Sequence, residues 1–418
     1  MQRFYSLYGR LLSAPALKQA YKQVKSAKGA AGIDKQSLSD FGAQLDDNLH
    51  RLLLELKDKT YLAQPVMRVE IPKDDGGVRL LGIPTVRDRI VQQALLNILQ
   101  PIFDKDFHPS SYGYRPKRSC HDAINKATLF IRQYGRRWVV DMDLSKCFDC
   151  LSHDLLIKGV KRKVSDGSIL GLIRQFLNSG VLVGDKVEPT LRGSPQGGVM
   201  SPLLANIYLD AFDQEMKRRG HRLVRYADDI LILCTSQKGA EHALRVATGL
   251  LEKDLKLSVN KDKTHIANSD GGIKFLGVEI GSQYTRIQAK KVAGFRAKVK
   301  ALTKRNGGQP LSGIIARINP LLRGFANYFK IANSYRVLRE LTGWVRRRLR
   351  AIQLKLWKKP TRLHRRLRQL GLKGKFRYIK MNSWRNANSP LASIAMQNSW
   401  FNEQGFYPMD QVFKVNLP

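Results

Sequence analysis

The chain has 418 residues, 43% of them apolar, enough for roughly two to four domains with real cores, which excludes a disordered chain. It carries 73 Lys/Arg against 34 Asp/Glu, a net charge of +39; such a field attracts a polyanion, so nucleic acid is the expected partner. The longest uncharged runs, 193–209 and 386–402, are dotted with Ser, Gln and Asn and read as no membrane span, and four cysteines make neither a disulfide framework nor a zinc cluster, which points to a reducing compartment.

In chain order, apolar positions near helical spacing predict helices over Ala16–Ser26 and Phe41–Lys59, separated by the loop Gly29–Asp34 (GAAGID). Val66–Ile71 and Val78–Ile83 read as strands about the turn Asp74–Gly77, a hairpin. Asp88–Phe103 is an apolar-periodic helix, Arg137–Leu144 a strand, and Ser201–Arg218 a helix opening on Ser-Pro. Leu223–Tyr226 and Ile230–Cys234 are strands joined by the short turn Ala227-Asp228-Asp229. Gly239–Leu257 then reads as a helix and Ile273–Ile280 as a strand. Residues 286–418 are basic, with 30 Lys/Arg and three acids, and helical as far as Lys359. Pro360 marks a junction to a small, loop-rich module. Helices mixed with short strands, then helices alone, predict an α+β domain followed by an all-helical one.

The chemistry concentrates in carboxylates. In Val139–Leu144 the strand period of two sends Asp141 and Asp143 one way and Val140 and Met142 the other. Tyr226-Ala227-Asp228-Asp229 lies between apolar strands, so its two acids sit at a hairpin tip. An Asp at a strand end plus an Asp pair at a hairpin tip can supply carboxylates from separate strands, as two-metal nucleotidyl transfer requires. Asp-Asp at a hairpin is also ordinary turn chemistry.

Tyr-Ala-Asp-Asp between apolar strands resembles the catalytic motif of reverse transcriptases. The sequence as a whole resembles the reverse transcriptase–maturases of bacterial group II introns. The resemblance is carried in order by GAAGID, Val69–Pro84 (VEIPKDDGGVRLLGIP), Tyr112–Pro116 (YGYRP) and Asp141–Asp149. It continues through Gly193–Asn206 (GSPQGGVMSPLLAN), Tyr226–Asp229, Leu255–Thr264 (LKLSVNKDKT) and Phe275–Gly277 (FLG), then Arg323–Phe329 (RGFANYF) and Gly343–Arg350 (GWVRRRLR). The acid-free, basic start resembles an organellar transit peptide in composition, but Gly29 already belongs to the enzyme motif.

The resemblance implies a right-hand polymerase: an N-terminal extension (1–60), fingers and palm (61–285), an all-helical thumb or maturase-specific domain (286–359) and a small DNA-binding module (360–418). It implies an RNA-directed DNA polymerase using two magnesium ions, with manganese as a substitute, whose partners are group II intron RNA, an RNA template with DNA primer, and a DNA target, with no membrane. A bacterial cytoplasmic location, at the nucleoid when acting on DNA, goes with it. No endonuclease pattern follows the last module, as in the compact subgroup of the family.

The site residues follow from the same motifs. Asp143 stands at the first metal-ligand position, Asp228 at the second, with Asp229 nearby and Asp141 a supporting acid. Phe148 matches the steric gate against a ribose 2′-hydroxyl, with a core phenylalanine as the alternative. Cys147 replaces the family's usual second aromatic. Lys73 and Arg79 would neutralise the triphosphate, or be surface cations. Gln196 would bond the sugar 3′-hydroxyl, or sit in a plain loop. Lys263 would assist pyrophosphate departure, with Lys261 close by. Phe275–Gly277 would be the primer grip or a core strand. Arg115 is template-binding or structural. Arg346, Arg347, Arg348 and Arg350 spread around one helix, some toward core and others toward nucleic-acid phosphates. Two rivals share these motifs: a catalytically idle RNA-binding splicing factor, and a host-adapted enzyme used in repair or defence.

Overall fold

The structure, a computed structural model, describes residues 3–72, 77–194, 197–305 and 307–416. The chain divides into two compact units, Met1–Asn268 and Ser269–Pro418.

The first unit contains β1 (Val66–Pro72), β2 (Val78–Ile83), β3 (Trp138–Met142), β4 (Val181–Val183), β5 (Lys186–Glu188), β6 (Arg222–Tyr226), β7 (Asp229–Cys234) and β8 (His265–Asn268). One sheet has the order β2-β1-β4-β5. Its β1–β2 hairpin pairs Met67 with Ile83 and Pro72 with Val78, and β4 joins β1 in parallel at Val66↔Val181. The other sheet, β6-β7-β3-β8, is antiparallel throughout. Its central β3 carries Val139 and Val140, both fully buried, and helices Cys120–Arg132, Ser201–Arg218 and Gln237–Gly249 pack on the sheet. Burying β3 from both sides fixes its register, because a slip of one residue would turn Asp141 to where Val140 sits.

Several helices begin as the sequence directs. Ser119 caps Cys120–Arg132 in a capping box with Asp122, and Asp166 caps Gly167–Asn178 through two backbone N–H groups. These two helices, His153–Lys161 and the β4–β5 hairpin extend the predicted elements. The expected Phe41–Lys59 helix is two, Leu38–Ala43 and Leu45–Lys57, broken where Gln44 leaves helical geometry at ψ 49°. Gly239–Leu257 is an α-helix to Gly249 and then a π turn, Leu250–Asp254.

The second unit opens on β9 (Ile273–Phe275), β10 (Val278–Ile280) and β11 (Thr285–Ile287), an antiparallel meander. The single strand expected over Ile273–Ile280 is therefore a hairpin. Leu276 at φ 45° and Gly277 at φ 83° form its two-residue turn, where both central residues have positive φ. Helices Ala289–Leu302, Leu311–Phe329, Tyr335–Trp357 and Pro360–Gln369 follow. Tyr335–Trp357 is their axis: the segments Arg385–Asn388 and Met409–Asn416 pack against it. Residues 360–418 lie in the same compact unit as the basic helices, and that unit begins before β9.

Candidate active site

The β6–β7 hairpin and the end of β3 converge. Tyr226 pairs with Asp229 across a two-residue turn, Ala227-Asp228, and Met142 pairs with Ile230, so Asp143 leaves β3 alongside that turn. The carboxylates are close enough to oppose one another's ionisation. Asp228 is raised above the ordinary carboxylate range by burial and by Asp143, against the pull of Arg79 and Arg225. Desolvation, then Asp228, Asp141 and Asp143, push Asp229 up to about 7, with Lys263 opposing. Asp141 is pushed up to about 6, chiefly by burial and further by Asp143; His265, its cross-strand partner, opposes this. At this sheet end burial and like charge outweigh the pull of Arg79, Arg225, Lys263 and His265.

Asp143 is held by the segment that returns to β8. Its backbone N–H donates to Thr264 Oγ1 at 3.2 Å and its carbonyl accepts from Asn260 N at 2.9 Å. Asn260 Nδ2 donates to Asp143 Oδ2 at 3.1 Å, and Lys263 Nζ stands 3.6 Å from the same oxygen. An open cleft is lined by Asp143, Asp228, Lys263, Arg79, Phe148 and Tyr114. Phe148 is half-buried in the short helix Cys147–Cys150, its ring edge-on to Tyr114 with centroids 6.2 Å apart. Arg79 is exposed on β2. The structure thus brings Asp143, Asp228, Arg79, Phe148 and Lys263 to one cleft and keeps Asp229 at its edge. Lys73 and Gln196 lie outside the described residues.

Glycines in the 193–198 loop serve the protein's own packing. Gly193 has φ +85°, and a Cβ there would sit 2.7 Å from Asp149 O; Gly197 has φ +109°, and a Cβ would sit 2.5 Å from Gly82 O on β2. The loop therefore closes against both the Phe148 helix and the β1–β2 hairpin, which any side chain at these positions would push apart.

Arg115 takes its structural alternative. Its side chain is 4% exposed, its Nε donates to Asp104 Oδ1 at 2.7 Å, and its other nitrogens donate to the carbonyls of Asp104, His108 and Ser111. The arginine cluster is also largely internal. Arg346 lies over Phe406 at 5.4 Å and Arg350 over Phe401 at 5.5 Å. Arg350 Nε also donates to Met396 O, and Arg348 donates to Thr303 while lying between Trp344 and Trp384. Of the four, Arg347 alone is exposed.

Three contributors went unassigned in the sequence. Asn260 and Tyr114 sit inside quoted motifs, but the contacts that give them a role, to Asp143 and Phe148, are long-range. Tyr114 also adopts φ +58°, which only the structure reveals. The third is Arg225, fully buried beneath the Ala227-Asp228 turn and paired with Asp213 on helix Ser201–Arg218.

As for magnesium, no group of three or more His, Cys, Asp or Glu among the described residues is disposed to hold a metal unaided. The donor set still fits, because magnesium takes one or two carboxylates and completes its shell with water and substrate phosphates. Asp143 and Asp228 are such a pair, and the rise of Asp228 and Asp229 is what a dication would relieve.

Residues 71–280 match the family described as "Reverse transcriptase (RNA-dependent DNA polymerase)", and residues 292–371 match "Group II intron, maturase-specific domain". Protein YkfC of Escherichia coli K12 is 35% identical over 74% of this chain and 91% of its own length. The group II intron-encoded protein LtrA of Lactococcus lactis is 31% identical over 66% of this chain, and the match spans 57% of that longer protein. Among solved structures, telomerase from Candida albicans in complex with a fragment of telomeric RNA aligns at 15% identity and TM-score 0.45, over 87% of this chain and 68% of that one.

Proposed function

The chain belongs to the reverse transcriptases that carry a group II intron maturase-specific domain, RNA-directed DNA polymerases of the α+β fingers-and-palm fold, and from that premise we propose how its cleft works and what it binds. The observation that carries the reading is the crowding of Asp141, Asp143, Asp228 and Asp229 at one sheet end, with Asp143 and Asp228 lining a cleft shared with Arg79, Phe148 and Lys263. Asp143 and Asp228 are the residues that would hold the two metal ions. Magnesium, when bound, activates the primer 3′-hydroxyl and steadies the leaving pyrophosphate.

The chain's own residues do the rest. Asn260 and Lys263 both address Asp143 Oδ2, which fixes the orientation of that carboxylate. Lys263 is 64% exposed, so its ammonium can swing toward a departing pyrophosphate. Arg79, from β2, adds positive charge on the cleft wall, where a triphosphate would lie. Phe148, braced by Tyr114, occupies space a ribose 2′-hydroxyl would need. The natural partners are a primer–template and intron RNA, with the basic second unit supplying phosphate contacts and the maturase activity. No helix among the described residues is long and apolar enough to cross a membrane, and we place the enzyme in the bacterial cytoplasm.

Primer extension on a poly(rA) template tests the assignment. Magnesium-dependent synthesis of DNA, abolished by a chelator, is expected. A folded protein that binds RNA yet extends no primer under magnesium or manganese would instead be the idle splicing factor.

A further inference from the structure

Beneath the catalytic turn lies a hub of buried polar groups. Arg225, 0% exposed on β6, donates to both carboxylate oxygens of Asp213, itself 0% exposed, from Nε at 2.9 Å each and from Nη2 to Oδ2 at 2.6 Å. Its Nη1 donates to Asn206 Oδ1 and to the carbonyl of Ala227, each at 3.0 Å. Asn206 and Asp213 are seven residues apart on helix Ser201–Arg218, two turns on one face. Asn206 Nδ2 in turn donates to Gly113 O at 2.9 Å. The backbone of Arg225 bridges to the same loop: its N–H donates to Ser110 O and its carbonyl accepts from Tyr112 N.

Two members of this hub, Arg225 and Gly113, border Ala227, the residue before Asp228. Ala227 is a non-glycine at φ +58°, in a two-residue turn where glycine or asparagine is the usual choice. Such a conformation persists where the surroundings over-determine it. Here they do so from two sides. Arg225 grips the Ala227 carbonyl, and Gly113 lies so close that a Cβ on it would be 2.3 Å from Ala227 N. A buried ion pair is in itself weak evidence for stability, since apolar replacement of both partners is often neutral. The role of this one is better sought in what it holds.

We propose that Arg225 is a positioning residue: with Asp213 and Asn206 it locks the Ala227-Asp228 turn in its strained form and so sets Asp228 against Asp143 for metal binding. The proposal rests on the reading of Asp228 as a metal ligand. It also gives the helix that begins in the 193–206 motif a direct line to the catalytic turn, because Asn206 closes that motif. A lysine could keep the charge opposite Asp213, but one ammonium cannot reproduce a planar fork that reaches Asp213, Asn206 and Ala227 together.

Two variants test it. Arg225→Lys keeps a cation beside Asp213; Arg225→Met with Asp213→Leu removes both charges together, so no unpaired charge stays buried. In each we expect kcat for primer extension to fall about 10–100-fold, the loss typical of a misplaced catalytic group. The magnesium activation midpoint should rise severalfold, while the KM for deoxynucleotide and the affinity for primer–template stay within about threefold. Two readouts do not depend on turnover. Mn2+ binding to the protein–primer–template complex, followed by electron paramagnetic resonance, should weaken, and amide exchange across 226–229 should quicken. A folded variant with wild-type kcat and a wild-type metal midpoint overturns the proposal. If the double variant does not fold, Arg225→Lys decides. Asp228→Asn runs alongside as a control: if it retains activity, the metal-site reading fails; if it is dead while Arg225→Lys is normal, only the positioning role fails.

Discussion

The two units of this chain carry opposite electrostatic imbalances. At the end of the β6-β7-β3-β8 sheet, carboxylates are raised first by burial and then by one another: Asp229 by Asp228, Asp141 by Asp143. In the second unit guanidinium groups crowd until they depress one another: after burial, Arg305 lowers Arg348 and Arg346 lowers Arg350. The means of coping differ too. In the first unit buried Arg225 finds Asp213, Arg115 finds Asp104 and Lys163 finds Asp106. With three acids among residues 286–418, arginines of the second unit lie against rings instead, in the series Arg296, Trp344, Arg348, Trp384, Arg305. The first imbalance suits a dication and the second a polyphosphate.

The sharpest test of the acidic side is Asp228→Asn, which keeps shape and removes a charge. Primer extension should fall by roughly three or more decades, several kcal/mol in the barrier. Asp141→Asn should cost much less, since Asp141 pairs across β3 with His265 rather than opening on the cleft. Equal losses at the two positions would move the ligand onto Asp141 and break the comparison at its acidic end.

A stability effect probes the same unit's positive charges. His108 is buried, and its Nδ1 accepts from Ser110 N at 3.1 Å. Burial, then Lys217, Arg225 and Arg115, lower its pKa to about 4, against the pull of Asp210. The unfolded chain takes up this proton near pH 6.5. Between about pH 4 and 6.5 the unfolded state thus binds more protons, so stability is complete above that window and is lost as pH falls through it. The whole contribution is on the order of 3 kcal/mol at most. His108→Asn removes the titration, so the difference in melting temperature between pH 6.5 and 4.5 should shrink. An unchanged difference would mean the loop tolerates one more cation beside Arg115 and Arg225.

What could be read from the sequence was what neighbours in the chain determine. β2 and helix Ser201–Arg218 have the bounds that their pattern and the Ser-Pro opening indicate, and the Tyr226–Asp229 turn lies between apolar strands as its flanks require. What depends on distant partners could not be read. Helical spacing shows that Arg346, Arg348 and Arg350 spread around a helix, but not that Phe406, Trp384 and Phe401 return to cover them. Arg115 had equal claims as phosphate ligand and strut until Asp104 and three carbonyls were seen to use its nitrogens. Arg225 stood beside the most informative motif of the chain, and only its partner on another element gives it a role.

A smaller effect concerns sugar choice. Phe148→Ala should raise ribonucleotide incorporation about tenfold relative to deoxynucleotide in a competition assay, as loss of a steric contact in a tight site does. Since Tyr114 braces the ring edge-on, Tyr114→Ala should shift the ratio in the same direction by less. An unaltered ratio in Phe148→Ala would make the ring a wall of the cleft without a part in selection.

The smallest effect tests the basic side directly, by separating two arginines of one helix. Arg350 is half-buried, bonded to Met396 O and stacked on Phe401, so Arg350→Ala removes a hydrogen bond and a cation–π contact. The expected cost is about 1–2 kcal/mol of stability, a few degrees in melting temperature. Arg347 is exposed on the same helix, and its charge faces solvent. Arg347→Ala should leave melting unchanged and weaken structured-RNA binding. The slope of log affinity against log salt should flatten by up to about one unit, because one counterion fewer is released. The two readouts should cross: Arg350→Ala moves melting more than the salt slope, Arg347→Ala the slope alone. If Arg347→Ala leaves both affinity and slope untouched, RNA phosphates are met elsewhere on the second unit. Arg362, Arg365 and Arg368, exposed on helix Pro360–Gln369, are then the next positions to neutralise.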